Sequence, residues 1–228
     1  MAVKILGICG SYRRGTTYAA MCAALEEAAK CPGVETELFE LRGKKINPCI
    51  GCSRCIREWK NECLTYPDDD MKALFDKFAE ADAYLIGSPV YSMGITPSLL
   101  SVFSRFRPNF IVTKENPDVN LFKVGAAIVS GGTRNGGQEK AIDAIHGFYH
   151  TKGIPIVNGG LGIYSGAAIW NPLRTAQTAA LVAGTLPNEW HWSSRLILNA
   201  GSRNSPNGFS SMRPIFGTQS PGSSFVFA

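Results

Sequence analysis

The chain has 228 residues, 45% hydrophobic and 18% charged, which suits one α/β domain with a full core and excludes a disordered chain. The formal net charge of +5 is modest, its basic residues are spread out, and no nucleic-acid motif occurs, so nucleic acid is not an expected partner. The opening run Met1–Cys9 is too short for a membrane span and breaks at Gly10-Ser11-Tyr12-Arg13-Arg14, unlike a signal peptide; the expectation is a cytoplasmic protein with no membrane partner.

Along the chain, short β-branched runs alternate with helical patterns. Val3–Cys9 reads as a buried strand, Thr16–Lys30 as an alanine-rich amphipathic helix and Val34–Glu40 as a second strand. Asp68–Glu80 reads as a helix with acidic residues in its first turn, where the helix dipole favours them. Ala83–Ser88 follows as a strand, and Pro97–Phe106 as a helix with Pro near its start. Phe122–Ser130 is a fourth strand, Gly137–Lys152 a helix, Ile154–Val157 a fifth strand and Asn171–Gly184 a closing helix. This rhythm predicts an α/β, flavodoxin-like, doubly wound five-stranded parallel sheet with helices on both faces, plus a cysteine-rich loop inserted after the second strand. Residues 1–198 would form that domain, with the cysteine loop at 46–64; residues 199–228, rich in Gly, Ser, Pro and Asn, read as an irregular extension.

Ligands of such sheets sit at the carboxyl ends of the strands. Three loops there carry chemistry. Gly10-Ser11-Tyr12-Arg13-Arg14-Gly15-Thr16-Thr17 joins a strand to a helix and offers hydroxyls, backbone N–H groups and a positive helix end to a phosphate. Its spacing matches G-x-x-x-x-G-K-[ST] except that Thr16 replaces the lysine, which favours a flavin monophosphate over a triphosphate; an ordinary strand-to-helix turn is the plain alternative. Gly87-Ser88-Pro89-Val90-Tyr91-Ser92-Met93-Gly94 combines a rigid proline, an aromatic ring and a glycine that let a planar ring approach. Ser130-Gly131-Gly132-Thr133-Arg134-Asn135-Gly136-Gly137-Gln138-Glu139 exposes backbone amides through four glycines. No G-x-G-x-x-G follows a strand, so a dinucleotide fingerprint is absent from the sequence.

Of seven cysteines, four lie within fifteen residues: Cys49, Cys52, Cys55 and Cys63, spaced C-x2-C-x2-C-x7-C. In a reducing compartment this reads as metal-binding or redox-active. Three crowded thiolates and one from the following loop suit the corners of a [4Fe–4S] cubane, with Gly51 freeing the backbone to wrap. Zinc more often takes two separated pairs, and redox-switching thiols are a third reading. Arg42, Lys44, Lys45, Arg54, Arg57 and Lys60 surround the motif, a positive setting for a thiolate-ligated cluster or an acidic carrier protein. Cys9, Cys22 and Cys31 stand apart and read as small apolar residues, and His146, His150 and His191 form no metal signature.

Together these segments resemble the iron–sulfur flavoprotein family, within the NADPH-dependent FMN reductase and flavodoxin-like superfamily. The resemblance runs from Val3 to about Ile163 and includes Pro48-Cys49-Ile50-Gly51-Cys52-Ser53-Arg54-Cys55 with Cys63, Asp68-Asp69-Asp70-Met71, Ala81-Asp82-Ala83 and the three loops; the cysteine motif is its specific part. It implies noncovalent FMN, one [4Fe–4S] cluster held by the four cysteines, and a homodimer or homotetramer in which one subunit's cluster nears another's flavin. It also implies that Ser11, Arg13, Thr16 and Thr17 hold the phosphate, that Pro89, Val90, Tyr91 and Gly94 line the isoalloxazine, and that Ser130, Gly131 and Gly132 close the site. Two departures stand out: Tyr18 where relatives often carry Thr, and Ser101 and Ser104 where they often carry Lys and Asp. The expected function is electron transfer between a ferredoxin-like donor, the cluster, FMN and an acceptor, with no side chain needed as general acid or base. The alternatives are an FMN-dependent NAD(P)H:quinone or flavin reductase without a cluster, and a zinc- or thiol-based binding module.

Overall fold

The computed structural model describes residues 2–133, 135–158 and 165–170. Strands β1 (Val3–Cys9), β2 (Val34–Glu40), β3 (Ala83–Pro89), β4 (Val124–Gly131) and β5 (Ala167–Trp170) form one sheet in the order β2-β1-β3-β4-β5. Every neighbouring pair is parallel, with Ile5 opposite both Thr36 and Ala83 and with Ala83 opposite Val124. This is the flavodoxin-like order, with its crevice beside β1 and β3.

Strand alternation feeds two cores. Ile5 and Cys9 face one side with Met21, Leu25 and Ala28 of helix α1 (Thr16–Ala29). Gly7 faces the same way, and a Cβ there would come within 2.7 Å of Leu25, so helix and strand meet closely because that side chain is missing. Leu6 and Ile8 face the other core, with α3 (Met71–Glu80), α4 (Pro97–Arg105) and α6 (Gln138–Thr151). That side is aromatic: Phe78 stacks on Tyr84 at 4.0 Å and Phe103 on Phe148 at 4.2 Å. Two short helices, α2 (Arg54–Arg57) and α5 (Asn109–Glu115), lie where no helix was expected.

The edge strand corrects the sequence reading. Ile154–Val157 forms only an isolated bridge from Ile156 to Gly125, and the fifth strand is Ala167–Trp170. Gly125 N–H donates to Pro155 and Val157 N–H returns to Gly125, each at 2.9 Å, but Pro155 has no N–H with which to extend the ladder. The two segments therefore divide β4: the first meets its start, and β5 runs from Ile128 to Gly131. The Asp68–Asp70 run also moves. Helix α3 begins at Met71 with no acidic residue in its first turn; Asp69 accepts from Met71 N–H at its start, and Asp69 and Asp70 also bind the backbone of Asn47 and Lys45 before the cysteines. The predicted helix Asn171–Gly184 and the extension 199–228 lie outside the described residues.

Candidate cofactor sites

At the carboxyl end of β1, the Ser11 hydroxyl donates to Arg13 O at 2.6 Å and accepts from Arg13 N–H at 3.3 Å, which folds residues 11–13 into a tight turn. Gly15 precedes α1, and no side chain caps the helix, so its first N–H groups remain for a ligand, with Ser11 buried beneath and Arg13 exposed at the rim. Thr16 is half-buried in the first turn. Thr17 is 2% exposed and its hydroxyl pairs with that of Ser130 at 2.6 Å, so these two residues join the first and third loops from below.

The second loop is bound to both neighbours. Val90 N–H donates to Ser130 O at 2.8 Å, and Thr96 Oγ1 donates to Gly10 O at 2.8 Å. Tyr91 and Gly94 exchange backbone hydrogen bonds of 2.8 and 2.9 Å around Ser92 and Met93, which have φ of 47° and 66°. Two left-handed residues in succession make a type I′ turn, which non-glycine residues adopt at a conformational cost. Pro89 ends β3 below that turn. In the third loop, Gly131 and Gly132 leave β4, and Gly137 at φ 105° lies so near Met93 that a Cβ would come within 2.7 Å of its Cα. Gln138, which sequence reasoning missed, is buried and donates to Thr133 O at 2.7 Å. Tyr12 and Tyr91, both 46% exposed, place their rings 5.8 Å apart at the rim. All eleven predicted residues thus fall on three adjoining loops or on the element ends that flank them, at one end of the sheet.

Cys49, Cys52, Cys55 and Cys63 line one pocket together with Thr65, Tyr66, Arg105 and Arg107. Among the described residues no three His, Cys, Asp or Glu side chains converge as ligands of a single ion. A cubane makes a different demand, since each thiolate binds its own iron. Gly51 and Ser53, at φ 70° and 57°, wind the chain on either side of Cys52. Arg57 donates to Cys52 O at 3.0 Å, Arg54 to Leu64 O at 3.1 Å and Arg107 to Ser53 Oγ at 3.0 Å. The arginines near the motif therefore tie its backbone as well as supply charge. The Thr65 hydroxyl, 3.1 Å from Cys52 Sγ, together with the Arg54 amide, brings that thiol below its ordinary pKa, the direction a ligand thiolate requires. Burial raises Cys55 despite an amide bond from Ile56. Cys9, remote in the core, is pushed up to about 11 by burial, which marks it as an unreactive apolar thiol.

The loop is held at both ends by residues that its own sequence does not announce. Cys49 N–H donates to Ser104 Oγ at 3.1 Å, so a serine of α4 anchors the first cysteine. Arg105 bonds Asn47 O at 2.9 Å and both oxygens of Asp69 at 2.5 and 3.1 Å, joining the segments before and after the cysteines. Both side chains of this ion pair are 2% exposed. Burial pushes the Asp69 carboxyl up, but Arg105 and the amides of Asn47 and Met71 outweigh it and hold it below the usual range.

Fold and loops define a flavodoxin-like α/β protein with three adjoining loops at the carboxyl ends of its strands and a separate four-cysteine loop. The NADPH-dependent FMN reductase family model matches residues 3–167. An iron–sulfur flavoprotein of Methanocaldococcus jannaschii is 38% identical over 173 residues, covering 75% of this chain and 84% of that protein. One of Methanosarcina thermophila is 34% identical over 174 residues, with the same coverage of 75% and 84%. Among solved structures, an NADH:FMN oxidoreductase superposes with a TM-score of 0.53 at 15% identity, covering 83% of this chain and 95% of that one, and shares the fold. The chain belongs to the NADPH-dependent FMN reductase family, among its iron–sulfur flavoproteins, and is a flavin-dependent oxidoreductase. Among the described residues no helix is long and apolar enough to cross a membrane.

Proposed function

We propose that this chain is an electron-transfer protein that binds FMN in the three-loop crevice and a [4Fe–4S] cluster on Cys49, Cys52, Cys55 and Cys63, passing electrons between a ferredoxin-like donor and an acceptor. The observation that carries this reading is the meeting of all four cysteines on one pocket, in a chain whose curated relatives are named iron–sulfur flavoproteins. When bound, the cluster would exchange single electrons and FMN one or two.

The remaining work is done by the chain's own residues. Ser11, Arg13, Thr16 and the α1 amides, that of Thr17 included, hold the FMN phosphate, while the paired hydroxyls of Thr17 and Ser130 brace the floor. Pro89, Val90, Tyr91 and Gly94 form the wall for the ring, and Ser130, Gly131 and Gly132 close the far side. Leu64, Tyr66 and Pro108 give the cysteine pocket an apolar side. The exposed basic residues Arg42, Lys45 and Lys60 near that loop suit an acidic carrier protein, and a homodimer or homotetramer brings further copies of both sites within reach.

Anaerobic purification with flavin, iron and acid-labile sulfide measured together tests this. Flavin with stoichiometric iron and sulfide is expected. Flavin without iron, bleached rapidly by NADPH, would instead establish a cluster-free NAD(P)H-dependent reductase, the activity named for a 26% identical relative from Geobacillus thermodenitrificans. Zinc without flavin would overturn both.

A further inference from the structure

Arg105 has donors for more partners than the protein gives it. Its two terminal nitrogens make three hydrogen bonds, to Asn47 O and to both oxygens of Asp69, and the Tyr66 ring lies 5.1 Å from the guanidinium carbon. Its Nε is buried and has no hydrogen-bond partner. The same side chain lines the pocket shared by the four cysteines. A buried N–H without an acceptor is rare, and where it persists a missing partner is the usual reason.

We infer that Arg105 is a positioning residue for the cysteine set, and that its Nε–H is the donor reserved for a sulfur of the group bound there. The inference rests on the iron–sulfur reading and adds a specific residue to it. A lysine could balance Asp69, but its three N–H donors share one nitrogen, so it cannot make the three bonds to Asn47 O and the carboxylate and still present a further N–H. Hydrogen bonds to cluster sulfur stabilise the reduced, more negative state, so this donor raises the reduction potential.

The placement of Arg105 gives the contact a second consequence. It ends α4, a helix of nine residues spanning about 14 Å. At the other end of α4, Ser98 N–H donates to the Tyr12 hydroxyl at 3.0 Å and Thr96 holds Gly10. One rigid element therefore runs from the phosphate loop to the cysteine loop within a single chain, and Arg105 and Ser104 fix its cysteine end.

The test uses holoprotein reconstituted anaerobically, wild type first, with FMN, iron and sulfide counted. Wild type that takes up FMN but no iron or sulfide ends the cluster reading, and this inference with it, before any variant is compared. With the cluster present, Arg105→Lys is expected to keep FMN and cluster stoichiometry, to shift the cluster midpoint downward in an EPR-monitored titration, and to lose iron to a chelator about 10–100-fold faster. An unchanged midpoint and release rate in a fully loaded Arg105→Lys protein would overturn the assignment. Should that variant not load, pulsed EPR on reduced wild type carrying guanidinium-15N arginine decides instead. A 15N coupling that survives Arg107→Lys is expected; its absence, or its loss in Arg107→Lys, refutes the role of Arg105.

Discussion

Two arginine–carboxylate pairs stand beside the two candidate sites, and their surroundings differ. Arg105 and Asp69 close the cysteine loop with side chains 2% exposed, whereas Arg14 and Glu40 meet at 2.8 Å beside the phosphate loop with side chains 57% and 23% exposed. The chemistry is the same and the environment decides its weight. A buried pair cannot lose one member without leaving a charge stranded in the protein, while an exposed pair can exchange its partner for water. The cysteine loop is thus built as a closed structure tied at Asn47, Cys49, Leu64 and Asp69. The loop at residues 10–17 is open, and no side chain caps the helix that follows it.

The sharpest way to separate the two regions is to remove one thiol. Cys52→Ala is expected to abolish bound iron and sulfide while leaving FMN at wild-type stoichiometry, read by absorbance and elemental analysis; full iron content would remove Cys52 from the ligand set. Next in size is Asp69→Ala, which strands Arg105. Breaking a buried ion pair costs about 3–5 kcal/mol, so the thermal midpoint should fall by roughly 10 °C. The effect carries a pH signature. The folded carboxyl of Asp69 titrates below its unfolded value of about 4, so protons favour the unfolded chain. The pair's contribution is therefore full at neutral pH and lost as pH falls through the folded pKa. The gap in melting temperature between wild type and Asp69→Ala should hold from pH 7 to about pH 5 and narrow below that. Smaller again is Arg13→Ala at the open site: loss of a charged hydrogen-bond donor at an exposed rim should weaken FMN about tenfold by fluorescence titration, with iron content unchanged.

What could be read from the sequence follows the same division. Strands β1, β3 and β4 declare themselves as apolar runs and β2 as an alternating one, and the 10–17 loop and cysteine motif are contiguous, so their residues can be found by spacing. Strand β5 could not be found that way. Its Ala167-Ala168-Ile169-Trp170 is four residues long with two weak strand formers, while Ile154–Val157 carries the stronger β pattern and makes only one bridge. The anchors of the cysteine loop were hidden for another reason. Ser104 lies 55 residues from Cys49, and Arg105 lies 36 from Asp69, so only the packing of α4 brings them together. The three consecutive aspartates were legible as a feature but only partly in role: Asp69 does accept from the Met71 N–H that opens α3, yet Asp69 and Asp70 lie before the helix and also bind the segment leading into the cysteine loop.

The smallest effect belongs to Glu40→Gln, and its smallness is what the comparison requires. Arg14 makes two hydrogen bonds to Glu40, of 3.1 and 2.8 Å, a geometry as good as that of the buried pair. If bond geometry alone set the strength of these contacts, Glu40→Gln would approach Asp69→Ala in cost. If desolvation sets it, water should replace most of what Glu40 gives, and the melting temperature should stay within error of wild type at physiological salt. FMN affinity gives an independent reading. Freed from Glu40, Arg14 leaves the phosphate loop slightly more positive, so affinity should hold or rise slightly, and any rise should fade as salt is added. A drop in melting temperature comparable to that of Asp69→Ala would mean that the phosphate loop is as tightly closed as the cysteine loop, and the contrast between the two sites would fail.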